Sequence, residues 1–172
     1  MPLPTQQHQR RRPTSRYAQQ MLEKQSLKEI YGLREEQLKT YYRQALSARG
    51  ETGPYIIRML ERRLDNAVFR SGIAQTRPQA RQMVTHGLFL VNGRGADIPS
   101  RRLTVGDVIA IKEGKRKKAL FDNFEKRMQG ARLPNWLALD VKGYGFKVVG
   151  EPAPEEAAIG VDIRAVVEFF AR

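Results

Sequence analysis

The 172-residue sequence has no cysteine. That excludes disulfides and thiolate zinc sites, and it fits a reducing compartment. Histidine is almost as scarce, with only His8 and His86. Catalysis therefore has poor raw material. His8 lies in a polar stretch that positions side chains weakly, and His86 lies beside a helix end, where a C-cap or an RNA contact is expected. Glu35–Glu36 and Glu155–Glu156 are adjacent pairs that read as solvated surface. The glycines make no phosphate loop, because "GRG" (93–95) lacks a strand–GxGxxG–helix context and reads as a hairpin. No apolar run reaches the length of a membrane span. The N-terminus "MPLPTQQHQRRRPTSR" has no apolar stretch after its charges and does not read as a secretory signal. It is basic and free of acid, which leaves an organelle transit peptide open on composition. No repeat of domain-array period is present. Neither an enzyme, a cofactor, a metal nor a small-molecule substrate is expected.

Acidic residues are also in short supply: 18 against 31 lysines and arginines, a net charge of +13. Hydrophobic residues make up 41 %, enough for a folded core. The excess points to a polyanion partner, nucleic acid before anionic membrane. Its distribution is uneven. Residues 1–49 carry a net +6, residues 50–118 a net +8, and residues 119–172 a net −1. The partner surface is therefore expected in the first 118 residues, with the last 54 as scaffold.

The first 14 residues, with three prolines, read as an extended arm whose charged part is "RRR" (10–12). Helical spacing runs from about Tyr17 to Tyr31, with Gly32 suited to the left-handed residue after a helix. A second helix is predicted from about Glu35 to Arg49, with Leu38, Tyr41, Tyr42 and Ala45 on its apolar face. "GETGP" (50–54) breaks the chain. A third helix is predicted from about Tyr55 to Arg70. Thr76 then caps a helix, Pro78 suits its first turn, and Gly87 ends it. "LFLVNG" reads as a strand entering a tight turn, and Val108 to Ile111 as a second strand. Beyond the basic run "KEGKRKK" (112–118), a short helical pattern at about 119–129 precedes two strand-like stretches, 134–140 and 145–150. Residues 162–172 read as a terminal helix.

Binding has better material than catalysis. Arg77 and Arg81 share a helix face at an N-terminal end, where unpaired N–H groups and the helix dipole favour anions. The plain alternative is a solvated face with ion pairs. Arg101 and Arg102 either extend that surface or are solvent-facing strand residues. Lys115, Arg116, Lys117 and Lys118 are expected to touch RNA without specificity, or to act as a tether. Arg10, Arg11, Arg12 and Arg16 suit salt-dependent phosphate contacts. Arg58 and Arg62 either join them or pair within their helix with Glu61 and Asp65. Tyr41 and Tyr42 read as core.

The stretch "LERRLDNAVFRSGIAQTRPQARQMVTHGLFLVNG" with "DIPSRRLTVGDVIAI" resembles the RNA-binding domain of the ribosomal S four family. That domain also occurs in pseudouridine synthases and tyrosyl-tRNA synthetases. The flanks "EKQSLKEIYGLREEQLKTYYRQA", "PNWLALD" and "VDIRAVVEFFAR" resemble the small-subunit ribosomal proteins themselves. An RNA-modifying enzyme would need a separate catalytic domain. A factor that rescues stalled large subunits would lack these helical flanks.

The resemblance implies a primary rRNA-binding protein of the small subunit. It would bind the five-prime domain, nucleate assembly, and lie near the mRNA entry channel beside other small-subunit proteins, with influence on translational accuracy. Its RNA-binding helix face falls on Arg77, Arg81 and His86, and its mRNA-entry basic segment on Arg10, Arg11 and Arg12. Bacterial members commonly have a longer N-terminus, sometimes with a cysteine zinc cluster, and no zinc is expected here. The expected fold is α+β: a helical body lobe with an inserted small RNA-binding domain of helices packed on a short β-sheet. The expected divisions are a basic arm at 1–16, a helical body at 17–60, the S-four-like domain at 61–118, and a tail at 119–172 that completes the body. Partners would be small-subunit rRNA, neighbouring ribosomal proteins and mRNA, with no membrane. The location would be cytoplasmic and ribosome-bound, an organelle ribosome remaining open.

Overall fold

The computed structural model describes residues 15–172 and has two cores. The first is helical. Helix α1 (Arg16–Tyr31) starts where the Ser15 hydroxyl accepts from the Ala18 N–H. It ends at Gly32, whose φ of 67° lets its own N–H and that of Leu33 return to the last-turn carbonyls. Helix α2 (Glu35–Ser47) buries Leu38 and Ala45, and α3 (Thr52–Glu61) buries Ile56, Ile57 and Leu60. Of these, Leu38, Ala45, Ile56 and Leu60 pack with Leu27, Tyr31 and Val166. Val166 belongs to α7 (Ile163–Phe170), which lies along α1. Tyr42 stacks on Phe170 with ring centroids 5.2 Å apart, so Tyr42 is core-facing as expected. Glu35 accepts from the ammonium groups of Lys24 at 2.8 Å and Lys28 at 3.0 Å. Burial acts against its charge, but these two bonds prevail and hold its carboxyl below the usual value.

The second core lies under an antiparallel sheet of order β2-β1-β3-β5-β4. The strands are β1 (Phe89–Val91), β2 (Arg94–Ala96), β3 (Val108–Ile111), β4 (Leu137–Asp140) and β5 (Gly145–Val148). Helices α4 (Leu64–Arg70) and α5 (Arg77–Thr85) pack together, and their apolar faces join this core. Asn92 and Gly93 both have positive φ and make the β1–β2 turn. Helices combined with an all-antiparallel sheet, not alternating with parallel strands, make the fold α+β.

Two expectations differ from the structure. The helix foreseen at Tyr55–Arg70 is two helices. At Arg62 and Arg63 the backbone leaves the helical conformation, and Arg63 bridges Arg102 in strand fashion. The Leu64 N–H bonds the Arg101 carbonyl at 2.9 Å, and the Leu103 N–H bonds the Arg62 carbonyl at 2.8 Å. No glycine or proline marks this break, which a distant loop imposes. The tail at 119–172 also divides. Phe121, then Phe124 and Met128 of the short helix α6 (Phe124–Gln129), and Trp136 and Phe146 enter the sheet core, and β5 pairs with β3. Only its last part, with Ile163, Val166 and Phe170, joins the helical body. Strand β3 would otherwise expose an edge of unpaired N–H and C=O groups, which β5 covers.

Gly145 sits where the sheet allows no side chain. A Cβ there would collide with the Ile109 carbonyl oxygen and come 2.8 Å from the Ala110 Cα. Gly145→Ala is therefore expected to cost about 1–3 kcal/mol. Thermal unfolding checks it, and an unchanged midpoint would show that β3 and β5 adjust freely.

Candidate nucleic-acid interface

The expected site residues fall into three groups. Arg10, Arg11 and Arg12 lie outside the described residues. A second group is occupied within the fold. Arg77 is the main correction. Its Nε donates to the Asn66 Oδ1 at 3.0 Å, and its guanidinium lies 4.8 Å from the Tyr31 ring centroid and 4.5 Å from that of Phe69. Burial holds its pKa below the usual guanidinium value. The side chain points into the junction of the two cores, not outward. Arg81 donates from Nη1 to the Gly32 carbonyl at 2.7 Å, so it ties α5 to the end of α1. Arg62 donates from Nε to the Leu103 carbonyl at 2.7 Å. Arg116 donates to the Ile111 carbonyl and lies 4.5 Å from the Tyr144 ring centroid. Arg16 belongs to α1 instead of the arm; it is exposed, and it pairs with Glu168 at 3.0 Å. Glu61 and Asp65 take partners other than Arg58 and Arg62, so the expected pairing within one helix does not form. Arg58 is half-buried on α3, with no ion pair among the described residues.

The third group is exposed: His86, Arg101, Arg102, Lys115, Lys117 and Lys118. The structure brings some of these together. His86, the C-cap of α5, and Lys118 line one cleft of about 460 Å³ with Gln82 and Leu88. Lys112 lies close to Gly87 and Gly95 at the same end of α5. There an ammonium group complements the negative end of the helix dipole.

Arg102 belongs to another groove. Its Nη2 donates to the Gln44 Oε1 at 2.9 Å, joining the loop before β3 to α2 across the boundary between the cores. One end of the groove is a cleft of about 450 Å³ beside Gln37, Tyr41, Ser100 and Arg102. The other end passes Arg43, Ser47 and Tyr55. Neither end is lined by a carboxylate. Beneath the first end lies Arg63, 2 % exposed. Burial disfavours its charge, but two bonds to Asp65 at 3.1 Å and one to the Tyr41 hydroxyl at 3.1 Å raise its pKa. Sequence reasoning singled out Arg102 but missed Arg43, Gln44 and Lys112. Gln44 carries no charge, and only its place opposite Arg102 marks it.

Two family models match adjoining stretches that together span residues 1–109 of the chain. "Ribosomal protein S4/S9 N-terminal domain" matches residues 1–61, and "S4 domain" matches residues 62–109. The chain is 46 % identical over 158 residues to small ribosomal subunit protein uS4 of Persephonella marina, covering 91 % of this chain and 77 % of that protein. The chain belongs to the small ribosomal subunit protein uS4 family. The uS4 of Herpetosiphon aurantiacus is 44 % identical over 95 % of this chain and 78 % of its own length. That of Clostridium tetani is 41 % identical over 98 % and 81 %. Membership makes the chain a structural, non-enzymatic, ribosome-bound component of the small subunit, with rRNA and ribosomal proteins as partners. The boundary between the two models falls at Glu61 and Arg62, where α3 ends and the backbone bridges to Arg102. No helix among the described residues is long and apolar enough to cross a membrane.

Proposed function

We propose that this uS4-family chain is a primary binder of the five-prime domain of small-subunit rRNA and nucleates subunit assembly there. The supporting observation is the groove along α2, which bridges both cores, carries Arg43 and Arg102, and has no carboxylate in its lining. A rigid cationic groove of this kind suits the shape of a folded RNA junction better than a single strand. Arg101, Lys115, Lys117, Lys118 and His86 add further phosphate contacts, and each neutralised phosphate releases counterions. Arg10, Arg11 and Arg12 are assigned to mRNA near the entry channel, a position from which the chain would influence decoding accuracy. The location is the cytoplasmic ribosome.

Filter binding to a five-prime-domain transcript, against an unrelated structured RNA at equal salt, tests the proposal. The five-prime domain is expected to bind at least about tenfold more tightly. Equal affinity would overturn it. Arg101→Ala with Arg102→Ala should weaken binding and reduce the slope of log K against log salt by about 2. An unchanged slope would remove those two arginines from the interface.

A further inference from the structure

We propose that the cleft between α2 and the loop carrying Ser100 and Arg102 is a pocket for one unstacked nucleotide of the bound RNA, held through its acceptor atoms. The inference rests on the rRNA-binding reading and adds to it a point where RNA is read beyond its phosphates.

The cleft's own hydrogen bonds carry the argument. Gln37 spends its side-chain oxygen on the Arg34 N–H at 2.9 Å. Gln44 spends its oxygen on Arg102 at 2.9 Å. The Tyr41 hydroxyl oxygen accepts from Arg63 at 3.1 Å. Each bond occupies one lone pair of an acceptor oxygen and leaves donors with no partner among the described residues: the Gln37 and Gln44 Nε2 groups, the Tyr41 O–H and the remaining Arg102 N–H groups. Arg63 is a donor only, and its two bonds to Asp65 lock it in place. The lining is thus rich in unspent donors, with no carboxylate among them. It wants a ligand that brings acceptors.

Size and shape narrow the choice. At about 450 Å³ the cleft lies in the range of small-ligand sites, larger than one phosphate needs. Met59 and the Tyr41 ring supply an apolar wall for a base. A base within an A-form duplex cannot reach such a recess, because its edges stay stacked and paired. An unpaired nucleotide at a bulge or junction can be splayed into it. Base O and N atoms, ribose oxygens and the attached phosphate then meet the donors together.

Photocrosslinking tests this. Thr40 lies on the rim of the cleft, and among the described residues its side chain bonds only the Glu36 carbonyl of its own helix. The full chain with a benzophenone side chain at Thr40 is bound to the five-prime-domain transcript and irradiated. Crosslinks are mapped by reverse-transcription stops. One dominant stop at an unpaired nucleotide is expected. Gln37→Leu with Gln44→Leu should lower its yield about tenfold, because two donors are lost. The filter-binding affinity should fall far less, since phosphate contacts elsewhere persist. Retained filter binding with crosslinks scattered over paired nucleotides, or with a yield that the double variant leaves unchanged, overturns the pocket alone. Loss of selective filter binding by the unsubstituted chain overturns the rRNA reading and the pocket with it.

Discussion

Glu61→Ala should lower the unfolding free energy by about 3–5 kcal/mol, the largest loss expected from any single truncation outside the apolar cores. Glu61 is 2 % exposed and closes the end of α3. Its carboxylate accepts from the Tyr31 hydroxyl at 2.6 Å, from Asn66 at 2.9 Å and from Arg70 at 2.9 and 3.0 Å. Arg77 stands at 4.0 Å. Arg70 also donates to the Ala157 carbonyl at 2.8 Å, so the cluster draws in the chain before α7. Burial and the neighbouring carboxylate both push the Tyr31 hydroxyl pKa up, which keeps it a donor. Removing the carboxylate leaves two guanidinium groups facing each other in a poorly hydrated junction. For a chain of this length that loss corresponds to roughly 10 °C in Tm. Thermal unfolding by circular dichroism checks it. A fall of less than about 1 kcal/mol would mean that water or a rearranged side chain replaces Glu61.

This cluster shows what the sequence conveyed and what it did not. The strand at Val108 to Ile111 was legible residue for residue, because a short β-branched run between a Gly-Asp turn and a basic stretch allows little else. Helix α1 was legible for a similar reason, since Gly32 marks its end. The break at Arg62–Arg63 was not. Its cause is a bridge to Arg102, about 40 residues away, and the local spacing of Leu60 and Leu64 fits an uninterrupted helix. The strands of the tail were visible, but their partner was not, because pairing of β5 with β3 is a tertiary fact. The basic composition pointed to the partner class correctly. Which cations meet that partner depends on burial. Gln37 and Gln44 are neutral, so charge counting passes over them, while Arg77 attracts notice for a charge that the fold consumes.

Arg77→Glu is accordingly expected to unfold the chain's junction, whereas Arg81→Glu is expected to leave it standing. Both arginines sit on α5 four residues apart, and Thr76 caps that helix by accepting from the Gln79 N–H. Their surroundings differ. A glutamate at position 77 would lose the Asn66 bond and both ring contacts, and would set a second carboxylate close to Glu61. Like charges in a buried site, with Arg70 left to serve both, should cost about 3–5 kcal/mol. The half-buried Arg81 loses one bond to the Gly32 carbonyl, at the C-terminal end of α1 where a negative charge is disfavoured. That should cost about 1 kcal/mol. Urea unfolding separates the two, and equal midpoints would refute the placement of Arg77 inside the fold. Loss of subunit incorporation by Arg77→Glu would then follow its loss of stability, so only Arg81→Glu reports on RNA contact at this helix. A charge reversal diagnoses an interface only where the native charge is not already spent inside the protein.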